Sequence, residues 1–196
     1  MKKSLRIVFM GTPAFAVRIL DELHQSHHEV VGVVTVADKP AGRGQLMHQS
    51  AVKQFALEQH LPLAQPEKLR DQTFIEQLKE WNADVFVVVA FRMLPDLVWK
   101  LPPLGTFNLH ASLLHAYRGA APINWALING ETKTGVTTFL INEQIDAGAI
   151  LKHAEVQISP NMNVGELHDQ LQELGATLTL ATCNELATGA IKPMLQ

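Results

Sequence analysis

The 196-residue sequence contains a single cysteine, Cys183, so no disulfide can form within the chain and the fold must rest on its core. Long apolar runs are missing as well. None reaches the about 18 residues that a membrane-spanning helix needs, and Met1-Lys-Lys-Ser4 leads only into a short strand-like run, Leu5 to Met10, not into a signal segment. A soluble cytoplasmic protein is expected. There is no excess of positive charge: 16 Lys and Arg against 19 Asp and Glu give −3, so no general field draws nucleic acid toward the chain. The dinucleotide fingerprint Gly-x-Gly-x-x-Gly is absent after the first strand, where Gly11 stands alone, which argues against NAD or FAD. A Gly-x-Ser-x-Gly elbow is absent too, which argues against Ser112 as a hydrolase nucleophile. No internal repeat, low-complexity tract or linker stands out.

With 47% hydrophobic residues the chain is long enough for one well-buried domain. Leu5 to Met10 predicts a strand, Gly11-Thr-Pro13 a turn with Thr12 as helix cap, Ala14 to Leu23 a helix and Val30 to Val36 a second strand. The strands are near-continuous in Val and Ile, as in sheets covered on both faces, and this βαβ beginning predicts a Rossmann-like α/β fold with an open, mostly parallel sheet. Further helices are predicted at Ser50–Gln59, Asp71–Lys79, Ile123–Ile128 and Asn163–Leu186, and strands at Leu61–Leu63, Gly135–Ile141 and Ala149–Ile158. The closing helix places Val164, Leu167, Leu171, Leu174 and Leu178 at helical spacing, with Cys183 as inert packing. Asp84 to Ala90, the most hydrophobic run, predicts a central strand, so Phe91-Arg-Met-Leu-Pro95 would lie at the carboxyl ends of the strands, where ligands bind in open sheets. Asp38 to His48 reads as a turn-rich, locally basic surface loop whose Lys39, Arg43 and His48 can meet phosphates.

The stretch from Thr106 to Pro122 carries the chemistry. In an extended segment Asn108 and His110 share a face, roughly 7 Å apart along the strand, with Phe107 and Leu109 on the other side. An amide beside an imidazole can stabilise a developing negative charge and handle a proton, although either alone is more often an ordinary hydrogen-bonded residue. Arg118-Gly-Ala-Ala-Pro122 adds small residues and a rigid turn, backbone that lets a ligand come close. Asp146-Ala-Gly148 reads locally as a turn joining two strands. His110, His115 and Asp146 have the composition of a two-histidine, one-carboxylate metal set, without the His-x-x-x-His spacing of a helical metal pair.

Asn108-x-His110-x-Ser112-Leu-Leu followed by Arg118-Gly-Ala-Ala-Pro122 resembles the signature of the folate-dependent formyltransferases, most closely the branch that acts on methionyl-tRNA. The opening Gly11-Thr-Pro-Ala-Phe-Ala16 and the core Pro40-Ala-Gly-Arg-Gly44 are similar to the same branch. One position departs, since the family usually has Ser-Leu-Leu-Pro where His115 stands here. The resemblance implies a metal-free transfer of a formyl group from 10-formyltetrahydrofolate to the α-amino group of methionine on initiator tRNA. It implies Asn108 and His110 as oxyanion donors, with Asp146 orienting His110 or accepting the proton lost by the amine. It further implies folate contacts from Phe91, Met93 and Leu94 and from Ser112, Leu113, Leu114 and His115, and tRNA contacts from Lys39 and Arg43. Formyltransferases acting on amino-sugar nucleotides share Asn-x-His and both turns and form the alternative, as does a folate-binding module without turnover. The family normally carries a further C-terminal, barrel-like domain that helps hold tRNA, and Met194-Leu-Gln196 falls about where it would be joined. A monomer is expected.

Overall fold

A computed structural model describes residues 3–41 and 46–196. Strand β1 (Arg6–Gly11) is followed by α1 (Ala14–His24), β2 (Glu29–Val34), β3 (Lys39–Ala41), β4 (Leu46–His48), α2 (Ala51–Glu58), β5 (Leu63–Ala64), α3 (Gln72–Glu80) and β6 (Val85–Val89). The second half runs α4 (Asp96–Trp99), β7 (Thr106–His110), α5 (Pro122–Ile128), β8 (Lys133–Leu140), β9 (Ile150–Gln157) and α6 (Val164–Thr188). Seven strands form one sheet in the order β5-β2-β1-β6-β7-β8-β9, parallel from β5 to β7 and antiparallel at β8 and β9. The chain builds outward from β1 through β2 to β5, then crosses back to place β6 on the other side of β1. The carboxyl ends of β1 and β6 therefore flank a switch point, the place where open α/β sheets leave room for ligands.

Alternation along the strands divides the core into two layers. Phe9, Val87, Phe107 and Leu109 pack with α1, α2 and α6, while Val8, Met10, Phe86 and Val88 pack with α3 and α4. Among the described residues no helix is long and apolar enough to cross a membrane. Helix α6 opens on a capping box, in which the Asn163 side chain accepts from Gly165 N and Glu166 N while Glu166 accepts from Asn163 N, and it closes on Gly189 at φ +68°. Leu167, Leu171 and Leu178 are buried as their spacing predicts, and Cys183 is fully buried, which pushes its thiol pKa up. Val164, by contrast, is exposed.

Three local expectations change. Thr12 does not cap α1: Pro13 is extended at the cap position, and its carbonyl takes the first helical bond from Ala16 N at 3.0 Å. The Asp38–His48 loop contains a small antiparallel hairpin, β3 with β4, pairing Lys39 with His48. Arms of three residues are too short for alternation to reveal. Helix α4, a single turn, escaped for the same reason.

His28 ties β1 to the start of β2. Its Nδ1 accepts from Leu5 N at 3.1 Å, so the ring proton sits on Nε2, which is buried with no hydrogen-bond partner among the described residues. Burial lowers its pKa, with His27 adding to the effect. The unfolded chain then takes up a proton at this ring more readily than the folded one, so stability should be full above about pH 6.5 and fall as pH drops below it. His28→Asn keeps an acceptor for Leu5 N but cannot titrate. Urea denaturation between about pH 5 and 8 should show a weaker loss on the acid side in this variant than in the parent. Equal acid sensitivity in both would rule His28 out as the cause.

Candidate active site

Two cavities open at the carboxyl edge of the sheet, one toward each layer. The first, of about 560 Å³, is lined by Pro13 and Phe15 after β1, Ala90 and Phe91 after β6, His110, the Gly119–Asn124 segment, and Val164 and His168 from α6. The second, of about 950 Å³, lies between Leu69, Val88 and the Phe91–Asp96 segment on one side and Ile141–Asp146 on the other. They share Phe91, Asn108 and Asp146. Backbone strain collects here. Of the six non-glycine residues with positive φ among the described residues, Ala90, Ala121 and Asp146 line the first cavity. Such conformations cost on the order of 1 kcal/mol each and concentrate where a fold holds reactive groups in place.

Asp146 reaches this junction by an indirect route. Because β8 is antiparallel to β7, its last residue, Leu140, lies opposite Phe107, near the start of β7 and away from His110. The connection to β9 therefore has to double back over the face that carries Asn108. Gly148 makes the reversal possible: a Cβ there would fall 1.6 Å from the carbonyl oxygen of Leu140. Asp146 itself stands at φ +48°. Its Oδ2 accepts from Gly119 N at 2.8 Å and lies 3.8 Å from His110 Nδ1.

His110 is buried at the end of β7, and its Nε2 lies 2.7 Å from the carbonyl oxygen of Tyr117. A carbonyl can only accept, so Nε2 carries the hydrogen and, in the neutral ring, Nδ1 presents a lone pair toward Asp146. At 3.8 Å the two are not hydrogen-bonded; they attract only once Nδ1 has gained a proton. Asn108, half-buried one pleat earlier, has no protein partner for its side-chain amide among the described residues, and it faces both cavities. The junction thus combines an uncommitted amide donor with an imidazole whose free nitrogen can receive a proton beside a carboxylate.

The other residues singled out by sequence are placed as follows. Phe91, Met93 and Leu94 line the second cavity, with Met93 largely exposed and Leu94 buried. Ser112, Leu113, Leu114 and His115 line neither cavity. Ser112 is instead buried and bonds inward, its Oγ donating to Ala116 O at 2.6 Å and its carbonyl accepting from Thr137 Oγ1 at 2.7 Å, while the exposed His115 follows a cis peptide bond. Among the described residues no three His, Cys, Asp or Glu side chains are grouped to hold a metal, so His110, His115 and Asp146 do not form such a set. Lys39 is exposed on β3, and Arg43 lies outside the described residues.

Two contributors went unnoticed in the sequence. The Tyr117 carbonyl orients His110, and no side-chain pattern announces a backbone oxygen. Arg92 forms part of the second cavity's wall, donating from Nη1 to Glu67 O at 2.9 Å and from Nη2 to Pro66 O; its Nε is buried without a partner among the described residues, and burial lowers its pKa.

Comparison with known proteins identifies the family of the chain. Residues 5–182 match the family model described as formyl transferase. The chain belongs to the formyl transferase family. Within it, the chain is 58% identical over 195 residues to a methionyl-tRNA formyltransferase of Flavobacterium psychrophilum, covering 99% of this chain and 62% of that protein. A methionyl-tRNA formyltransferase of Bacteroides thetaiotaomicron is 55% identical, with 100% and 61% covered. The chain therefore spans about three fifths of the length of these formyl transferase relatives. In fold it is similar to phosphoribosylglycinamide formyltransferase from Bacillus halodurans, with a TM-score of 0.77 at 22% identity over 94% of this chain and 96% of that one. It is also similar to a sugar 3N-formyl transferase, with a TM-score of 0.71 at 20% identity over 98% and 66%.

Proposed function

We propose that this formyl transferase moves a formyl group from 10-formyltetrahydrofolate to the α-amino group of methionine carried by initiator tRNA. The observation that carries the reading is the meeting of two cavities at Asn108 and Asp146, where a donor in one and an acceptor in the other would come together. The names of the curated relatives support the choice of acceptor. The second cavity suits a folate, because Phe91, Met93 and Leu94 offer apolar contact to a flat ring while the backbone of the Asn142–Asp146 turn offers polar groups to its edge. Bound there, the folate supplies the formyl carbon. The first cavity, with Phe15, Leu109 and Ile123 in its wall, suits the apolar side chain of a methionyl group.

An amine attacking a formyl carbonyl builds negative charge on oxygen and leaves a nitrogen with a proton to lose, so the protein must supply a donor and an acceptor but no nucleophile. Asn108 is the free donor. His110 has its Nε2–H committed to Tyr117 and its Nδ1 open toward Asp146, so the His110–Asp146 pair receives the amine's proton and passes it to N10 of the folate as the bond between N10 and the formyl carbon breaks. Lys39 and Arg43 would contact tRNA phosphates, and the relatives' additional length is where the remaining grip on tRNA would lie. The test offers charged initiator tRNA and a panel of amino-sugar nucleotides side by side with 10-formyltetrahydrofolate. Formylation of the tRNA alone is expected. Preferential formylation of a sugar nucleotide, or folate binding with no transfer to any acceptor, would overturn the reading.

A further inference from the structure

Between β7 and α5 the chain runs through an exposed segment that touches both halves of the proton-handling pair. The Tyr117 carbonyl accepts from His110 Nε2 at 2.7 Å, and two residues later Gly119 N donates to Asp146 Oδ2 at 2.8 Å. Three consecutive residues thus set the orientation of the imidazole and the place of the carboxylate. The segment is not comfortable where it lies. Tyr117 stands at φ +57°, a conformation that costs a non-glycine residue on the order of 1 kcal/mol, and His115, Ala116, Arg118, Gly119 and Ala120 are all exposed and contribute little packing.

The Tyr117 side chain supplies an anchor. Its hydroxyl donates to Glu131 Oε1 at 2.5 Å and accepts from Asn129 Nδ2 at 3.0 Å. Both partners belong to the tight turn that ends α5, where Gly130 N bonds Leu127 O and Glu131 N bonds Ala126 O, each at 3.0 Å. A hydrogen bond to a carboxylate is among the stronger kinds, and it fixes the phenol to a well-defined helix end. Glu131 also raises the Tyr117 pKa, so the hydroxyl remains a donor through the neutral range.

We propose that Tyr117 is a positioning residue, whose phenol, clamped by Asn129 and Glu131, holds the 117–119 segment in register with His110 and Asp146. Its kinetic test rests on the formyl-transfer reading; its spectroscopic test does not. Tyr117→Phe keeps the ring and removes the clamp. It should lower kcat about tenfold, the lower range for losing a group that orients a functional histidine, and leave KM for both substrates within about twofold. Glu131→Ala should reproduce this loss. Glu131→Gln retains an oxygen acceptor and should restore kcat to within about twofold of the parent. In the absence of substrate, the Nε2–H proton of His110, followed by NMR, should exchange with water about tenfold faster in Tyr117→Phe. Parental kcat and parental exchange in Tyr117→Phe would overturn the proposal, as would Glu131→Gln being as impaired as Glu131→Ala. If the parent formylates no acceptor, the functional reading fails, and proton exchange alone still decides the role of Tyr117.

Discussion

Asn108→Ala is expected to lower the kcat of formyl transfer by about 100- to 1000-fold, the usual consequence of removing one oxyanion donor. The size of the effect follows from how the other groups are committed. His110 spends its one neutral N–H on the Tyr117 carbonyl, and the Gly119 N–H is taken by Asp146, so neither substitutes readily for the missing amide. The fold should not suffer, because Asn108 is only half-buried and makes no side-chain bond to the protein among the described residues. Folate affinity should change much less than kcat, since the amide acts on charge that develops only during the reaction. Single-turnover transfer and equilibrium folate titration on the same variant separate the two. A variant with parental kcat would remove Asn108 from the mechanism, and one that lost folate binding in proportion to kcat would make it a binding residue.

Gly148→Ala should be the most damaging single-methyl change near the site. The added Cβ would sit 1.6 Å from the Leu140 carbonyl oxygen and 2.8 Å from its carbon, both backbone atoms with no rotamer to yield. Leu140 N donates to Ala149 O at 2.9 Å in the same crossing, so relief requires opening the β8–β9 junction. A loss of at least about 3 kcal/mol is expected, together with displacement of Asp146 two residues earlier. Gly119→Ala is the control. That glycine has φ +88° but open space around it, so its cost should be limited to the backbone term of about 1 kcal/mol. Thermal and urea unfolding of the two variants should rank them clearly, and comparable stabilities would show that the doubled-back connection can relax.

The layered fold was legible because its signals are local and repeated. Val85 to Val89 is apolar at every position, as a strand covered on both faces must be, and the leucines of α6 keep helical spacing over several turns. Asn108 and His110 were legible as neighbours because strand geometry fixes their relation once β7 is recognised. What could not be read depends on relations between distant segments. Asp146 looks locally like an ordinary turn residue and is singled out only by the family resemblance; its arrival beside His110 follows from the antiparallel turn of β8 together with the reversal at Gly148. Tyr117 acts on His110 through a backbone oxygen, which every residue possesses, so nothing in its type marks it. Ser112 to Leu114, by contrast, stand out by motif yet lie against β8, with Leu114 N bonded to Thr137 Oγ1 at 3.2 Å, while His115 is exposed.

The segment Met194–Gln196 is fastened to the same place. Met194 exchanges two backbone bonds with Ile150, Gln196 Nε2 donates to Gly148 O at 2.6 Å, and Gln196 Oε1 accepts from Arg118 Nη2 at 2.7 Å. In mechanical terms this is a load path. A pull on anything joined beyond Gln196 is delivered first to Arg118, next to Gly119, and to Gly148, two residues from Asp146, before it reaches the bulk of the sheet.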